Sequence, residues 1–332
     1  MLIIRSAPLA ATLVTGHSGG TVRISQLPCC PSGLIFLCLF AWSLVHPCHA
    51  LDIEPRQWSH LPVGITFAGV GYAYTRADIS FDPVLRIEDA ELKLKTVAGK
   101  YIRTFGIFEK SARIDLTQAY QQGDWTGFLD GVPASVSRSG WSDTFLRVAV
   151  NLYGAPPLSG KAYAAYRAAV RDDTIVGLGL AVRLPTGEYM KDKLINLGQN
   201  RFTFRPQLGI NHTHGKWTTE MTGEIAFYTE NDEFFNGNTL EQKPTYIVHG
   251  HLIYTFRPGL WVGMGAGYDY GGESRINGTN KDDNKQDIAW ALSFAYPIDR
   301  HSGLKVAYIG SRKLEPTGMD SDTLTASLSF SW

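Results

Sequence analysis

The chain has 332 residues, with 31 Lys and Arg against 31 Asp and Glu, and 44% of it is hydrophobic. A formal charge of zero leaves no electrostatic footprint for nucleic acid, so that class of partner is excluded. All four cysteines, Cys29, Cys30, Cys38 and Cys48, lie before Ala50, so the remainder has no disulfide, zinc or thiol chemistry available.

Residues 1–50 differ in character from the rest of the chain. Gly33 to Val45 is an uninterrupted apolar run, too short to span a bilayer as a helix, and it leads through Pro47, Cys48 and His49 to the small residue Ala50. This reads as a signal peptide cut after Ala50, and a buried core helix fits an acid-free, cysteine-rich opening less well. Arg5 and Arg23 are its only basic residues, and the stretch ahead of the apolar run is long for such a leader, so the true start is expected downstream of Met1. Cys48 follows Val45, His46 and Pro47, which makes a poor lipid-attachment box. Residues 51–62 are then expected as a short periplasmic segment and residues 63–332 as one large all-β domain.

Beyond the leader no apolar stretch approaches the length of a membrane helix, so any crossing must be made by strands. Alternation predicts strands near 63–76, 99–109, 111–121, 143–153, 172–184, 200–213, 215–230, 243–256, 259–270, 286–297, 301–313 and 322–332. In Thr174 to Leu184 one face carries Val176, Leu178, Leu180, Val182 and Leu184, and the other carries Gly177, Gly179, Ala181 and Arg183. A solvent-facing sheet would avoid so much glycine, whereas small residues suit the crowded inner wall of a barrel. Connections alternate between tight turns (near 108–110, 214–215, 257–258 and 299–302) and long polar loops (77–98, 122–142, 185–199, 231–242, 271–285 and 314–321). Segment 154–171 breaks the alternation, and Gly160 to Val170 is expected to form a small helix. The expected architecture is a transmembrane antiparallel up-and-down β-barrel of about twelve strands with both termini periplasmic.

By the same alternation a set of charged and polar side chains faces the lumen. It comprises Arg103, Arg113, Asp115, Arg147, Arg183, Arg201, Arg205, Glu220, Glu224, His249, His251, Asp269 and Lys305. These groups either neutralise one another in a narrow barrel or form a polar constriction on a solute's path. Gly177, Gly179, Gly263, Gly265 and Gly267 leave space for a planar ring that arginines would stack on. His249 and His251 form a pair able to bind a transition metal, but no third ligand accompanies them, so no metal is assigned. The glycine series of 263–267 lies inside a strand with no helix after it and is not a phosphate loop. Oxygen-rich tips at Asp282, Asp283 and Asn284, and at Asn231, Asp232 and Glu233, are expected to be solvated loops, ahead of weak Ca²⁺ sites or contacts with lipopolysaccharide. No cofactor is implied.

The final ten residues place Leu324, Ala326, Leu328, Phe330 and Trp332 on one face and Thr323, Thr325, Ser327, Ser329 and Ser331 on the other. An exposed apolar strand would aggregate unless lipid or protein covered it. A strand ending on an aromatic residue resembles the C-terminal assembly signal of Gram-negative outer-membrane barrels, which makes Phe330 and Trp332 the candidates for engagement by the assembly machinery. The segments 54–64 (EPRQWSHLPVG), 69–90, 151–160, 174–189, 192–209 and 251–263 resemble the family named for the meta-cleavage pathway of phenol degradation. That resemblance implies an outer-membrane protein that takes up aromatic or other hydrophobic compounds, with outer-membrane lipids and lipopolysaccharide around it and a small-molecule solute inside. No catalytic residue is implied. The rival readings are a lipid-modifying barrel enzyme, which would need a Ser and a His activated together, and a purely structural barrel.

Overall fold

A computed structural model describes residues 53–81 and 87–332. The leader expected over 1–50 lies outside the described residues, as do Leu51 and Asp52. In chain order the elements are β1 (Thr66–Ser80), β2 (Ile87–Ile107), β3 (Lys110–Leu129), β4 (Val132–Trp141), β5 (Thr144–Tyr153), the helix α1 (Gly160–Ala169), β6 (Asp172–Leu184), β7 (Thr203–His214), β8 (Trp217–Tyr228), β9 (Asn231–Phe234) and β10 (Asn238–Gln242). They continue with β11 (Thr245–Arg257), β12 (Leu260–Gly271), β13 (Ser274–Ile276), β14 (Thr279–Asn280), β15 (Lys285–Pro297), β16 (Ser302–Lys313) and β17 (Gly318–Ser331).

β3 pairs with β4 from Leu129↔Val132 to Tyr120↔Trp141 and with β5 from Thr117↔Phe145 to Ala112↔Val150, so β4 and β5 act as one long strand bent at Ser142 and Asp143. Counted that way, the closed antiparallel barrel has twelve strands. It closes between β1 and β17, from Phe67↔Ser331 to Ser80↔Gly318. Closure leaves no free edge, which satisfies every ladder that lipid would otherwise leave unpaired. The N–H of Thr66 donates to the Trp332 carbonyl and that of Trp332 to Thr66, so the barrel's first strand starts where its last one ends, at the end that carries the short turns.

Each expected strand is present, but two of the expected loops are not loops. Residues 87–98 extend β2, and residues 122–141 form a hairpin of β3 and β4 around Asp130 and Gly131, both at positive φ (53° and 74°). An Asp-Gly pair is the preferred chemistry of a two-residue hairpin turn, and the alternation beside it is weakened by Gly123, Gly127 and Pro133. The loops 231–242 and 271–285 carry the short strands β9, β10, β13 and β14, which pair into a separate four-stranded sheet packed on Phe234, Ile276, Leu194, Phe235 and Leu240.

The phase of the side chains is as the alternation requires. Leu178, Leu180, Leu208, Ile210, Met221, Leu252, Met264, Leu292, Leu324 and Leu328 all point outward and are exposed. An apolar band of this extent on the outside of a closed barrel is a lipid-facing surface. Aromatic residues edge it, with Tyr246, Tyr268 and Tyr270 toward the long-loop end and Trp217, Tyr254, Phe256, Phe330 and Trp332 toward the other. Arg103 departs from its expected place: it pairs with Thr66 and Ile114, in the outward phase opposite to Asp115, and its guanidinium reaches the Thr66 hydroxyl at 2.7 Å.

Candidate functional site

The lumen is where the charged residues converge, and the chain itself occupies it. Residues 53–62, expected as a periplasmic segment short of the barrel, run inside it beside the inward faces of β6, β7, β8, β11 and β12. Trp58 is 1% exposed, and Ile53, Gln57 and His60 are buried. The segment has no alternation of its own because it has no strand partner; its backbone is held by side chains instead. Glu220 on β8 accepts the Gln57 N–H at 2.9 Å and the Trp58 N–H at 3.1 Å, while Asn211 on β7 donates to the same carboxylate at 3.1 Å. The Trp58 indole N–H donates to the Thr222 hydroxyl at 2.9 Å.

Glycine on the neighbouring strands is explained by this indole. A Cβ at Gly209 would lie 1.9 Å from Trp58 Cε2, and one at Gly177 would lie 2.3 Å from Trp58 Cε3. The space that the glycines leave for a planar ring is therefore filled by the protein's own ring, and Arg147 lies over it at 4.7 Å from the centroid. Gly265 makes room for His251 and Ile53 in the same way, with a Cβ 2.6 Å from His251 Cδ2 and 2.9 Å from Ile53 Cγ2.

The charged wall is a network around this segment. Arg147, 3% exposed, donates to the Gln207 side-chain oxygen at 2.6 Å and lies 3.4 Å from Asp115, which Arg113 also approaches at 3.0 Å. Arg205 reaches Glu224 at 2.6 Å, and Glu224 lies 3.7 Å from His249 Nδ1. The His249 and His251 rings meet edge to face at 5.7 Å between centroids. Arg183 is half-buried on β6, level with Thr203. Arg201 lies just before β7 rather than on it, buried over the Tyr228 ring at 4.7 Å and bonded to the Gln242 side chain. Burial pulls its guanidinium down to about 10, so it remains a cation at neutral pH. Asp269 is buried apart from this network, level with Ile247 and Asp287 nearer the long-loop end.

Sequence reasoning missed three further groups. Glu54 accepts from both Lys100 and Lys305, the latter at 2.8 Å, so the segment is tied to the opposite wall. Arg56 donates to the Thr255 hydroxyl at 2.6 Å and lies 5.0 Å over the Trp261 ring. His60 sets its Nε2 2.7 Å from the Pro156 carbonyl oxygen and packs edge-on against Tyr163 and Tyr166 of α1, whose Tyr163 hydroxyl donates to the His60 carbonyl at 2.8 Å. Segment 154–171 thus has a structural role: it clamps the point where residues 53–62 enter. The one available sign was composition, since EPRQWSHLP is too polar for a leader and too irregular for a strand.

The other side of the lumen is different in kind. Inward positions of β15, β16, β17, β1 and β2 include Ala289, Ala291, Ala307, Ile309, Thr325, Ser327, Gly71, Ala73, Thr96 and Ala98, with the charges Asp287, Lys305 and Lys100 among them. Thr325, Ser327, Gly71, Ala73, Thr96 and Ala98 are only half-buried, whereas Arg147, Gln207, Asn211, Glu220, Glu224, His249 and His251 across from them are buried. Toward the long-loop end this wall becomes apolar, with Ala77, Leu92, Leu94, Ile79, Trp125 and Met319 clustered inside the barrel. Ile53 packs with Ala289, Ala291, Ile247 and Ile309. A polar cavity of about 20 Å³ beside Gln57, Arg113 and Asn151 has space for a single water.

An apolar outer band, a polar interior and twelve antiparallel strands define an outer-membrane-type β-barrel. The chain belongs to the family described as the MetA-pathway of phenol degradation, whose model matches residues 85–318. Among solved structures it is similar to an outer-membrane channel from Pseudomonas putida F1, with 21% identity over 85% of this chain and 100% of that one and a TM-score of 0.70, which shows a shared fold. The transport unit of the autotransporter AIDA-I from Escherichia coli is 9% identical over 90% of this chain and 97% of that one, with a TM-score of 0.45. No curated protein matches the chain in sequence.

Proposed function

We propose that this protein is a passive outer-membrane channel for small hydrophobic or aromatic compounds. The observation that carries the reading is the strip of short inward side chains on β17, β1 and β2, half-buried at Thr325, Ser327, Gly71, Ala73, Thr96 and Ala98, which on β2 lies between the Leu92, Leu94 and Trp125 cluster and Lys100, held by Glu54. An apolar solute loses little by leaving lipid or water for such a strip, and it does not have to displace the paired charges opposite. The family's association with phenol degradation agrees with a solute of that class. Residues 53–62 restrict the path, and their attachment through Glu54, Glu220 and His60 sets how far it opens. Movement would follow the concentration gradient.

Liposomes carrying the protein are expected to admit a phenol-sized aromatic compound faster than empty ones, and faster than they admit a sugar of similar mass. Entry of both at the rate of empty liposomes, or at equal rates across aromatic and aliphatic solutes, would reject this reading.

A further inference from the structure

The outward face of the barrel carries a charge pattern that transport through the lumen does not use. Away from the chain termini, the outward residues of β1 run Val70, Tyr72, Tyr74 and Arg76, and those of β2 run Tyr101, Val97, Lys95 and Lys93. On β17 Leu324 is followed by Asp322, and on β16 Tyr308 is followed by Gly310 and Arg312. Charge therefore begins within one outward position of the Arg76 and Asp322 row on four neighbouring strands, directly above the apolar band and its edging of Tyr74, Tyr308 and Trp290. Across the barrel, the outward positions near the loop end are Phe227, Tyr246 and Tyr270, with no charge among them.

Within this patch, Arg76 sits directly opposite Lys93, and Lys95 is next on the same face. Like charges directly opposite on adjacent strands are destabilising unless an anion lies between them. The carboxylates directly opposite on the flanking strands are Asp322, across from Arg76, and Asp124, across from Lys93, and both are already engaged: Asp322 takes two hydrogen bonds from Arg312 at 3.1 Å each and one from the Tyr308 hydroxyl, and Asp124 takes one from the Ser137 hydroxyl at 2.6 Å. Arg76 itself donates to the Tyr74 hydroxyl at 3.2 Å, and among the described residues no ion pair joins Arg76, Lys93 or Lys95 to a carboxylate. One row farther from the apolar band lie Asp78, Glu91 and Asp320, opposite one another across β1, β2 and β17. These acids repel an anion arriving from solution. They leave open the approach from below, along the plane of the membrane.

We propose that Arg76, Lys93 and Lys95 bind the phosphate of a phosphorylated glycolipid of the lipid A type, seated in the leaflet at the long-loop end with its acyl chains on Val70, Tyr72 and Val97. Charge-assisted hydrogen bonds from Arg and Lys to phosphate are the strong ones, and the tyrosine hydroxyls beside them suit the sugar. The proposal rests on the long-loop end facing the cell exterior and is independent of what passes through the lumen.

Binding of lipid A, dephosphorylated lipid A and phosphatidylglycerol to the full-length protein in detergent, followed by native mass spectrometry, tests it. Lipid A is expected to bind about tenfold more tightly than either of the others, and the double variant Arg76→Gln, Lys93→Gln is expected to lose about tenfold for lipid A alone. Without lipid, the double variant should melt no lower than the wild type, because a like-charge pair has been removed. Should it fail to fold, Lys95→Gln alone, which disturbs no such pair, is expected to show a smaller loss in the same direction. Equal binding of the dephosphorylated lipid, equal binding of phosphatidylglycerol, or variants that bind lipid A as the wild type does would each overturn the site.

Discussion

The two walls of the lumen solve the problem of a barrel interior in opposite ways. On β5 to β12 long charged inward residues are buried because they pair with one another and with residues 53–62, beside glycines that make room for Trp58 and His251. On β15 to β2 most inward residues are short, Lys305 and Lys100 apart, and Thr325, Ser327, Gly71, Ala73, Thr96 and Ala98 remain half-buried. Arg147 and Glu220 therefore hold the inserted segment in place, while Arg113 and Arg205 pair with carboxylates of the wall itself. From residue types alone, a polar constriction and a structural network are equal readings of the charged wall. The contacts of Arg147, Arg205 and Glu220 place these three in a network.

The strongest way to break the comparison is to remove a charge from the crowded wall. Arg205→Ala leaves Glu224 buried without its guanidinium partner and is expected to cost roughly 3–5 kcal/mol of stability, read as the denaturant midpoint of the folded, heat-modifiable form. An unchanged midpoint with altered ion selectivity would return Arg205 to the role of a constriction.

Next in size is the attachment of the segment. Glu220→Ala strands two backbone N–H groups and Asn211, each bonded now to a carboxylate, and is expected to cost about 2–3 kcal/mol and raise single-channel conductance. Conductance that stays at the wild-type level would show that the segment does not limit the path.

A matched pair of substitutions sharpens the contrast without touching a charge. Gly209→Ala brings a Cβ to 1.9 Å from the Trp58 ring and is expected to displace the indole and increase conductance. Gly71→Ala on the other wall meets the Ser327 Cβ at 3.3 Å and should alter conductance little. Quenching of Trp58 fluorescence by acrylamide checks the pair, since only the first variant should expose the ring.

The smallest effect is with pH. Burial holds His60 below its ordinary value, so the neutral ring is the form the folded state favours. The unfolded chain then binds more protons, and the stabilisation His60 provides is present above the unfolded value of about 6.5 and lost as pH falls through the lower folded value. Conductance is expected to rise modestly as pH falls below the unfolded value, and His60→Gln, which keeps a donor for the Pro156 carbonyl, should flatten that rise. A profile identical in both proteins would remove His60 from the clamp.

Much of the barrel was legible in the residues. The twelve strands, the outward phase of Leu178 or Leu324 and the inward phase of Arg147 and Glu220 come from a period of two, because lipid and lumen impose opposite polarity on successive side chains. The hairpin at Asp130 and Gly131 was hidden because strands that rise beyond the membrane no longer need an apolar face, so their alternation fades. What filled the lumen was hidden for a different reason. Trp58 and Thr222 are 164 residues apart, and Glu54 and Lys305 are 251 apart; such contacts leave no local period, and a segment without a strand partner has no pattern to read. The order of residues was thus enough to establish the barrel, its phase and which side chains face inward. Which of those inward side chains are spent on residues 53–62, and which are left half-buried, emerged with the folded chain alone, because it depends on where one irregular segment comes to rest against a dozen strands.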